Sequence, residues 1–206
     1  MSFTLDIIEG KFLVNLARNA VLKKITVGDT IKPPLNSSKK LFERAGVFVT
    51  LNTIKNGNKK LRGCIGYPYP THILIEAIID SAINAAIHDP RFLPLTITEI
   101  NTVVFEVSVL TPPNIIEIND PKEVAKKITI GKDGLIVERG PYKGLLLPQV
   151  PIKWGWNPEE FVSQCCIKAG LPSDSWKSKQ TKIYTFQAII FGEKTPQGDI
   201  VEKTLI

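Results

Sequence analysis

The chain has 206 residues, of which 43% are hydrophobic, so it can bury a core in one compact unit or two small lobes, and a disordered chain is excluded. Residues 1–60 hold 11 Lys/Arg against 4 Asp/Glu, whereas residues 61–206 hold 15 against 16, so the net charge of +6 comes from the first third. An acidic residue near the start instead of a basic region, and the lack of a long apolar run, predict a cytoplasmic protein with no membrane span.

The first predicted element is a helix over residues 3–25, because apolar side chains recur there at helical spacing. Ser2 or Thr4 is the expected N-cap. The following residues, 26–40, hold glycine, prolines and serines and predict a surface loop.

The next elements are, in order, a β-hairpin of residues 45–54 and 59–67, a helix from Pro70 that Pro90 ends, and a strand over residues 103–110. The second half predicts the same order: a short helix from Asp120-Pro121 to Lys127, a hairpin of residues 134–138 and 142–147, a helix from Asn157 that Gly170 ends, and a strand over residues 182–191. Arg62-Gly63 and Lys143-Gly144 occupy equivalent positions in the two hairpins. We therefore predict a single domain, residues 1–206, made of two repeat units, about 1–112 and 113–206.

Such units favour an α+β fold of duplicated helix–hairpin–helix–strand units. Helices would pack on a mostly antiparallel, curved sheet, with two lobes and a cleft where the halves meet. A doubly wound parallel sheet is the alternative.

The most unusual stretch is Arg62-Gly63-Cys64-Ile65-Gly66, where two glycines flank a cysteine inside a predicted strand. Strand alternation places Arg62 and Cys64 on one face, where the guanidinium would favour the thiolate of a nucleophilic or redox-sensitive cysteine. Gly66 would leave room for a ligand. The alternative is that Cys64 is a small buried hydrophobe and that the glycines permit close packing.

This pentapeptide resembles the signature of the AMMECR domain family. Similar stretches follow in the family's order over about residues 5–195: Asp89-Pro90-Arg91-Phe92-Leu93-Pro94-Leu95-Thr96, Glu106-Val107-Ser108-Val109-Leu110, Gly144-Leu145-Leu146-Leu147-Pro148-Gln149-Val150 and Lys168-Ala169-Gly170-Leu171. The resemblance implies an α+β fold with a larger and a smaller lobe and a cleft near the signature. It implies no established reaction, and it suggests Memo-like or radical S-adenosylmethionine proteins as partners in a modification system.

Other candidate binding residues flank the signature. Asp89 and Arg91 are expected to form an ionic clamp or a ligand contact, or to end the preceding helix through the aspartate. Glu106 is expected to face Arg62 across the sheet, as an ion pair or a general base. Pro148 and Gln149 end the second hairpin, where they shape a loop or bring an amide to the same cleft.

No cofactor and no metal site are predicted. The cysteines, Cys64, Cys165 and Cys166, lack C-x-x-C spacing, which argues against structural zinc and disulfides. His72 and His88 lie at opposite ends of one predicted helix, about 24 Å apart, too far for one ion. Cys165 and Cys166 are expected in a helix core.

Three functions remain open. The first is an enzyme, or a component of a modification system, that uses Cys64 with Arg62 and the backbone of Gly63, Ile65 and Gly66. The second is a non-catalytic interaction or scaffold module. The third is a nucleic-acid binder that uses the positive first third without sequence preference.

Overall fold

The computed structural model divides the described chain into two compact units. The described residues are 4–34, 37–55, 57–117 and 123–203. Unit 1 contains residues 4–110 and 189–203, and unit 2 contains residues 111–188. In the described ranges, every helix is too short or too polar to span a bilayer.

Both units contain helices and strands. The α-helices are α1 (Ile7–Val27), α2 (Leu74–Ile83), α3 (Gln149–Trp154) and α4 (Pro158–Lys168). The strands are β1 (Gly46–Lys55), β2 (Asn58–Tyr67), β3 (Val103–Leu110), β4 (Asn114–Ile115), β5 (Gly134–Arg139), β6 (Tyr142–Leu146), β7 (Lys182–Phe186), β8 (Ala188–Glu193) and β9 (Ile200–Lys203). The pairs β1–β2, β1–β3, β4–β7, β5–β6, β5–β7 and β8–β9 are all antiparallel, which confirms the predicted α+β class.

Helix α1 starts later than predicted. Asp6 is its N-cap: the Asp6 side chain accepts hydrogen bonds from the N–H groups of Ile8 and Glu9, and the Glu9 carboxylate accepts one from the Asp6 N–H. This reciprocal capping box satisfies the free N–H groups of the first turn. The prediction of Thr4 as the cap was therefore wrong, and Ser2 lies outside the described residues.

Unit 1 is a five-stranded sheet, in the order β2-β1-β3-β8-β9, against which α1 and α2 pack. Val47, Val49 and Leu51 of β1 are fully buried in the core between the sheet and the helices. Thr50 lies on the opposite face of the strand. We call that face, which carries Thr50, Cys64 and Glu106, the outer face.

A buried ion pair ties β8 to α1. The Arg18 Nε donates to Glu193 Oε1 at 2.7 Å, and the same guanidinium donates to the carbonyl groups of Ile100 and Val103. The other Glu193 oxygen accepts the N–H of Phe105 at 2.9 Å. Both charges are thus paired and hydrogen-bonded, as a buried pair requires, and they hold the chain after residue 188 in unit 1.

The predicted second helix is present as α2 but begins at Leu74, not at Pro70. It passes into a π-helical turn (Asn84–His88), whose C-cap is Asp89, and Pro90 comes next. The predicted hairpin of β1 and β2 is confirmed, with Gly57 at φ 76° in its turn.

Unit 2 is a four-stranded sheet in the order β4-β7-β5-β6, on which α4 packs. Asn157 and Glu160 form the capping box of α4, as the sequence indicates. A 3₁₀ turn covers Ala125–Lys127, and the predicted cap at Asp120-Pro121 lies outside the described residues. Cys165 and Cys166 are fully buried in the core of this unit, as predicted.

The predicted last strand over residues 182–191 is in fact two strands in different sheets, β7 and β8. The break falls at Gln187, whose carbonyl accepts the Thr111 N–H and whose N–H donates to Thr111 Oγ1, both at 2.8 Å. The main chain of Gln187 is therefore satisfied outside either sheet. Strands β4 and β9 and helix α3 were not predicted.

Gly63 and Gly144 have the same packing role in the two units. A Cβ at Gly63 would lie 2.0 Å from the Ala85 carbonyl oxygen, and a Cβ at Gly144 would lie 2.5 Å from the Ala169 nitrogen. In each case a strand residue without a side chain lets the end of a helix approach. The duplication itself and the cleft stay predictions.

Candidate functional site

The glycines of the signature in β2 serve close packing. Gly63 faces the end of α2, and a Cβ at Gly66 would lie 2.0 Å from the Val47 carbonyl oxygen. Ile65, between them, is half-buried and packs against the core of unit 1. The backbone access that the glycines suggested is therefore used by neighbouring parts of the same unit.

A β-bulge sets Arg62 apart from Cys64. Leu51 pairs with Gly63 and Asn52 pairs with Leu61, which leaves Arg62 as the extra residue. Its guanidinium donates to both oxygens of Glu99 at 3.1 and 3.2 Å and to the Leu93 carbonyl at 2.9 Å. The prediction that Arg62 faces Glu106 was wrong, because the bulge interrupts the alternation on which it depended.

Cys64 is a half-buried thiol. Its Sγ accepts a hydrogen bond from Thr50 Oγ1 at 3.2 Å. Burial raises the pKa of the Cys64 thiol, and the Thr50 hydrogen bond and the positive charge of Arg91 offset part of that rise. The expected downward shift caused by Arg62 is not found, so the resting form near neutral pH is the thiol.

Asp89 and Arg91 close the main-chain edge of β2, the edge strand of its sheet. The Cys64 N–H donates to Asp89 Oδ2 at 2.9 Å, and Arg91 Nη2 donates to the Cys64 carbonyl at 3.2 Å. Arg91 also donates to both carboxylate oxygens of Asp89, at 2.9 and 2.7 Å. The Arg91 guanidinium holds the pKa of Asp89 well below its usual range. The two side chains thus do for Cys64 what a neighbouring strand would do.

The loop after Arg91 carries an exposed leucine beside a shallow depression. The depression has a volume of about 650 Å³ and is lined by Arg62, Arg91, Phe92, Leu93, Pro94, Thr96 and Glu99. The Leu93 residue is 84% exposed. The guanidinium carbons of Arg62 and Arg91 lie 5.8 and 5.5 Å from the centre of the Phe92 ring.

Glu106 lies on the outer face, where Thr50 pairs with both Cys64 and Glu106 across adjacent strands. The Glu106 carboxylate accepts a hydrogen bond from the Lys203 ammonium group. Burial of the Lys59 amine and the charge of Lys203 lower the pKa of Lys59. Sequence reasoning missed Thr50, Lys59 and Lys203; the signal available for Lys203 was Gly192, a glycine inside an apolar run.

Pro148 and Gln149 lie in unit 2, at the start of α3, not in the loop that was predicted. Gln149 Oε1 is buried and has no hydrogen-bond partner among the described residues. Burial raises the pKa of Cys165 to about 12 and that of Cys166 to about 11, as expected for core thiols. Over the described ranges, no three His, Cys, Asp or Glu side chains are grouped to hold a metal ion.

Apart from Gly63, Ile65 and Gly66, which pack within unit 1, the predicted site residues divide into three groups. Cys64, Asp89 and Arg91 meet at the edge of β2, and Arg62 contacts the same loop through Leu93 and Glu99. Glu106 joins Cys64 only through Thr50 and forms its ion pair with Lys203. Pro148 and Gln149 belong to the other unit.

An α+β chain with this signature strand, tied to the following loop by Asp89 and Arg91, has known relatives. The AMMECR1 family model matches residues 14–191. A protein of Pyrococcus abyssi is 51% identical over 198 residues, which are 96% of each chain, and one of Methanocaldococcus jannaschii is 50% identical over 199 residues, also 96% of each. The crystal structure of an uncharacterized protein from Pyrococcus horikoshii is similar with a TM-score of 0.86 at 51% identity, over 95% of this chain and 96% of that one.

These matches extend over nearly the whole chain. The protein belongs to the AMMECR1 family, which confirms the resemblance drawn from the signature.

Proposed function

We propose that this protein is a partner-binding module whose contact surface is the loop of residues 89–99, called here the clamped loop. The observation that carries the proposal is Leu93, a large apolar side chain that is 84% exposed on a loop tied to β2 at several points. A large apolar side chain that an ordered loop holds in solvent is available to a partner that covers it.

Hydrogen bonds and an ion pair fix the loop at several points along its length. Arg91 and Asp89 hold its start to the main chain of Cys64, and Arg62 holds Leu93 and Glu99 through the Leu93 carbonyl and the Glu99 carboxylate. A loop that is ordered before binding loses less conformational entropy when a partner docks. The signature residues thus contribute to binding by fixing the loop.

The charges indicate which partner fits. The Asp89 side chain is 2% exposed, whereas that of Arg91 is 53% exposed, so this pair presents its cation to solvent. We propose as the occupant a segment of another protein that covers Leu93 with apolar side chains and brings a carboxylate to Arg91. Memo-like and radical S-adenosylmethionine proteins, implied by the family resemblance, are the partners we propose.

The geometry favours binding over cysteine catalysis. The Cys64 thiol has a raised pKa, and the main-chain N–H and carbonyl of Cys64 hold the loop. A nucleophilic cysteine needs the opposite shift or an adjacent base. Among the groups that act on its pKa, Asp89 and Glu106 are anions that oppose the thiolate.

The test is calorimetric titration of the full-length protein with the Memo-like and the radical S-adenosylmethionine protein of the same genome. Leu93→Asp should weaken the complex about tenfold or more, because burying a leucine contributes about 1.5–3 kcal/mol. Ile8→Asp is the matched control, since Ile8 is 75% exposed in the first turn of α1, where an acidic residue is tolerated.

Ile8→Asp should bind as the wild type does. Equal affinity of Leu93→Asp and wild type contradicts the proposal. The proposal is also contradicted if neither the Memo-like nor the radical S-adenosylmethionine protein binds. Cys64→Ser should retain binding, because the serine keeps the main-chain groups that Asp89 and Arg91 contact.

A further inference from the structure

We propose that a depression at the tip of the β5–β6 hairpin binds a small molecule that carries a phosphate or carboxylate group on a flat ring. The depression has a volume of about 540 Å³, which is in the range of small-molecule sites. Residues that line it include Arg139, Tyr142, Leu171, Pro172 and Gln180. The inference is independent of the proposed partner binding, because the depression lies in unit 2 and the clamped loop in unit 1.

The register of the hairpin brings a guanidinium and an aromatic ring together. Arg139 and Tyr142 form the last cross-strand pair before the turn. Directly opposite residues of two antiparallel strands have their side chains next to each other on one face of the sheet. The pair Val137–Gly144, two residues further from the turn, lies on the same face. Val137 is fully buried in the core of unit 2, whereas Arg139 is half-buried and Tyr142 is exposed.

The end of α4 forms the opposite wall of the depression. The helix end reaches Gly144, where a Cβ would lie 2.5 Å from the Ala169 nitrogen, and the chain then turns away through Gly170 at φ 78°. A Cβ at Gly170 would lie 3.8 Å from Tyr142 Cδ1, so this turn borders the tyrosine ring. Because Tyr142 is still 52% exposed, part of its ring is available for stacking with a flat ligand.

The charge of Arg139 selects an anion. In the part of the chain that the structure describes, Arg139 forms no ion pair, and its guanidinium donates to Gln180 Oε1 at 3.1 Å. None of the described residues that line the depression is acidic. Since a guanidinium can only donate, Gln180 turns its oxygen to Arg139 and keeps its amide N–H groups for a ligand. The main-chain N–H of Gln180 donates to Ser178 Oγ at 3.3 Å, which fixes the residue. The depression thus combines a positive charge and N–H donors with apolar walls, the chemistry that binds an oxyanion on a ring.

The experiment is an NMR titration of the ¹⁵N-labelled full-length protein with phenyl phosphate, phenylacetate and benzyl alcohol, which share the ring and differ in charge. Each anion should bind with a Kd on the order of 1 mM, as expected for a ligand of about a dozen non-hydrogen atoms. Benzyl alcohol should bind about tenfold more weakly, because it cannot form a charge-assisted hydrogen bond. The amide signals that shift should be those of Arg139, Gly140, Tyr142, Gly170 and Leu171. The anion that binds more tightly identifies the natural group as phosphate or carboxylate, and both results support the site.

Variants test the two halves of the site separately. Arg139→Gln should raise the Kd of both anions about tenfold. Lys153→Gln is the matched control: it changes the net charge equally, at an exposed lysine of unit 2 outside the lining, and should leave the Kd unchanged. Tyr142→Ala should raise the Kd about threefold or more, whereas Tyr142→Phe keeps the ring and the affinity.

The dispersion of the amide spectrum verifies that each variant is folded. Benzyl alcohol that binds as tightly as the anions overturns the inference, and so does wild-type affinity of Arg139→Gln. The inference is equally wrong if Tyr142→Ala binds as tightly as Tyr142→Phe, or if neither anion gives a saturable shift at the hairpin tip.

Discussion

The main-chain N–H of Cys64 donates to the Asp89 carboxylate at 2.9 Å, across 25 residues of sequence. Arg91 completes the contact by donating to the Cys64 carbonyl and to Asp89. The cysteine of the signature and the aspartate of the clamped loop are therefore one structural unit. The role of this cysteine position in holding the loop depends on its backbone, not on its sulfur.

Asp89→Asn should destabilise the protein by about 1–3 kcal/mol, because it removes the charge that Arg91 and the Cys64 N–H contact in a buried position. Urea unfolding measures the change. Asp29→Asn is the matched control: Asp29 forms an exposed ion pair with Lys23, whose loss should leave the free energy of unfolding nearly unchanged. Equal losses in the two variants would contradict the importance of the clamp.

The contribution of Asp89 should depend on pH. Its pKa is lower in the folded state than in the unfolded state, so its stabilisation is fully present above the unfolded value of about 4 and is lost as the pH falls toward the folded pKa. The difference in unfolding free energy between wild type and Asp89→Asn should therefore shrink below pH about 4. A difference that stays constant down to pH about 2 would show that the carboxylate charge does not stabilise the fold.

Gly63→Ala should lower the free energy of unfolding by about 3 kcal/mol. The new methyl group would lie 2.0 Å from the Ala85 carbonyl oxygen, which can move only if the end of the helix moves with it. Gly28→Ala is a control without a clash: Gly28 has φ 78° and open space around it, so only backbone strain of about 1–2 kcal/mol is expected. Urea unfolding of both variants compares the two costs. A Gly63→Ala loss no larger than that of Gly28→Ala would mean that the strand can move away from the helix.

Cys64 should react slowly with iodoacetamide at pH 7, and its rate should still be rising where an ordinary thiol has reached its plateau, because its pKa is raised. Thr50→Val removes a hydrogen bond that lowers the pKa, so this variant should react still more slowly. The pH dependence of alkylation, read by mass spectrometry at Cys64, checks both. Fast alkylation at pH 7 would restore the hypothesis of an activated thiol.

Local signals in the sequence predicted much of the fold. The hairpin around Gly57, the capped helix at Asn157 and the stop at Pro90 each depend on contacts within a few residues. The last strand was predicted as one element because nothing local marks Gln187 as a break; its partner Thr111 is 76 residues away.

The site was predicted in composition but not in its contacts. Arg62, Cys64, Asp89, Arg91 and Glu106 were all selected, yet Arg62 and Glu106 were given each other as partners. A bulge directed Arg62 to Glu99, and the unpredicted strand β9 brought Lys203 to Glu106. A register shift in β2 and a short strand far along the chain, β9, leave little periodic signal. Sequence reasoning therefore could not assign these pairs.

The sequence by itself determined the α+β class, the family and the order of the main helices and hairpins, since capping, periodicity and chain breaks act over a few residues. Only the tertiary structure decided the state of the Cys64 thiol and the partners of each charge. A pKa depends on burial and on charges from distant segments, and these are set when β2, the clamped loop and β9 come together.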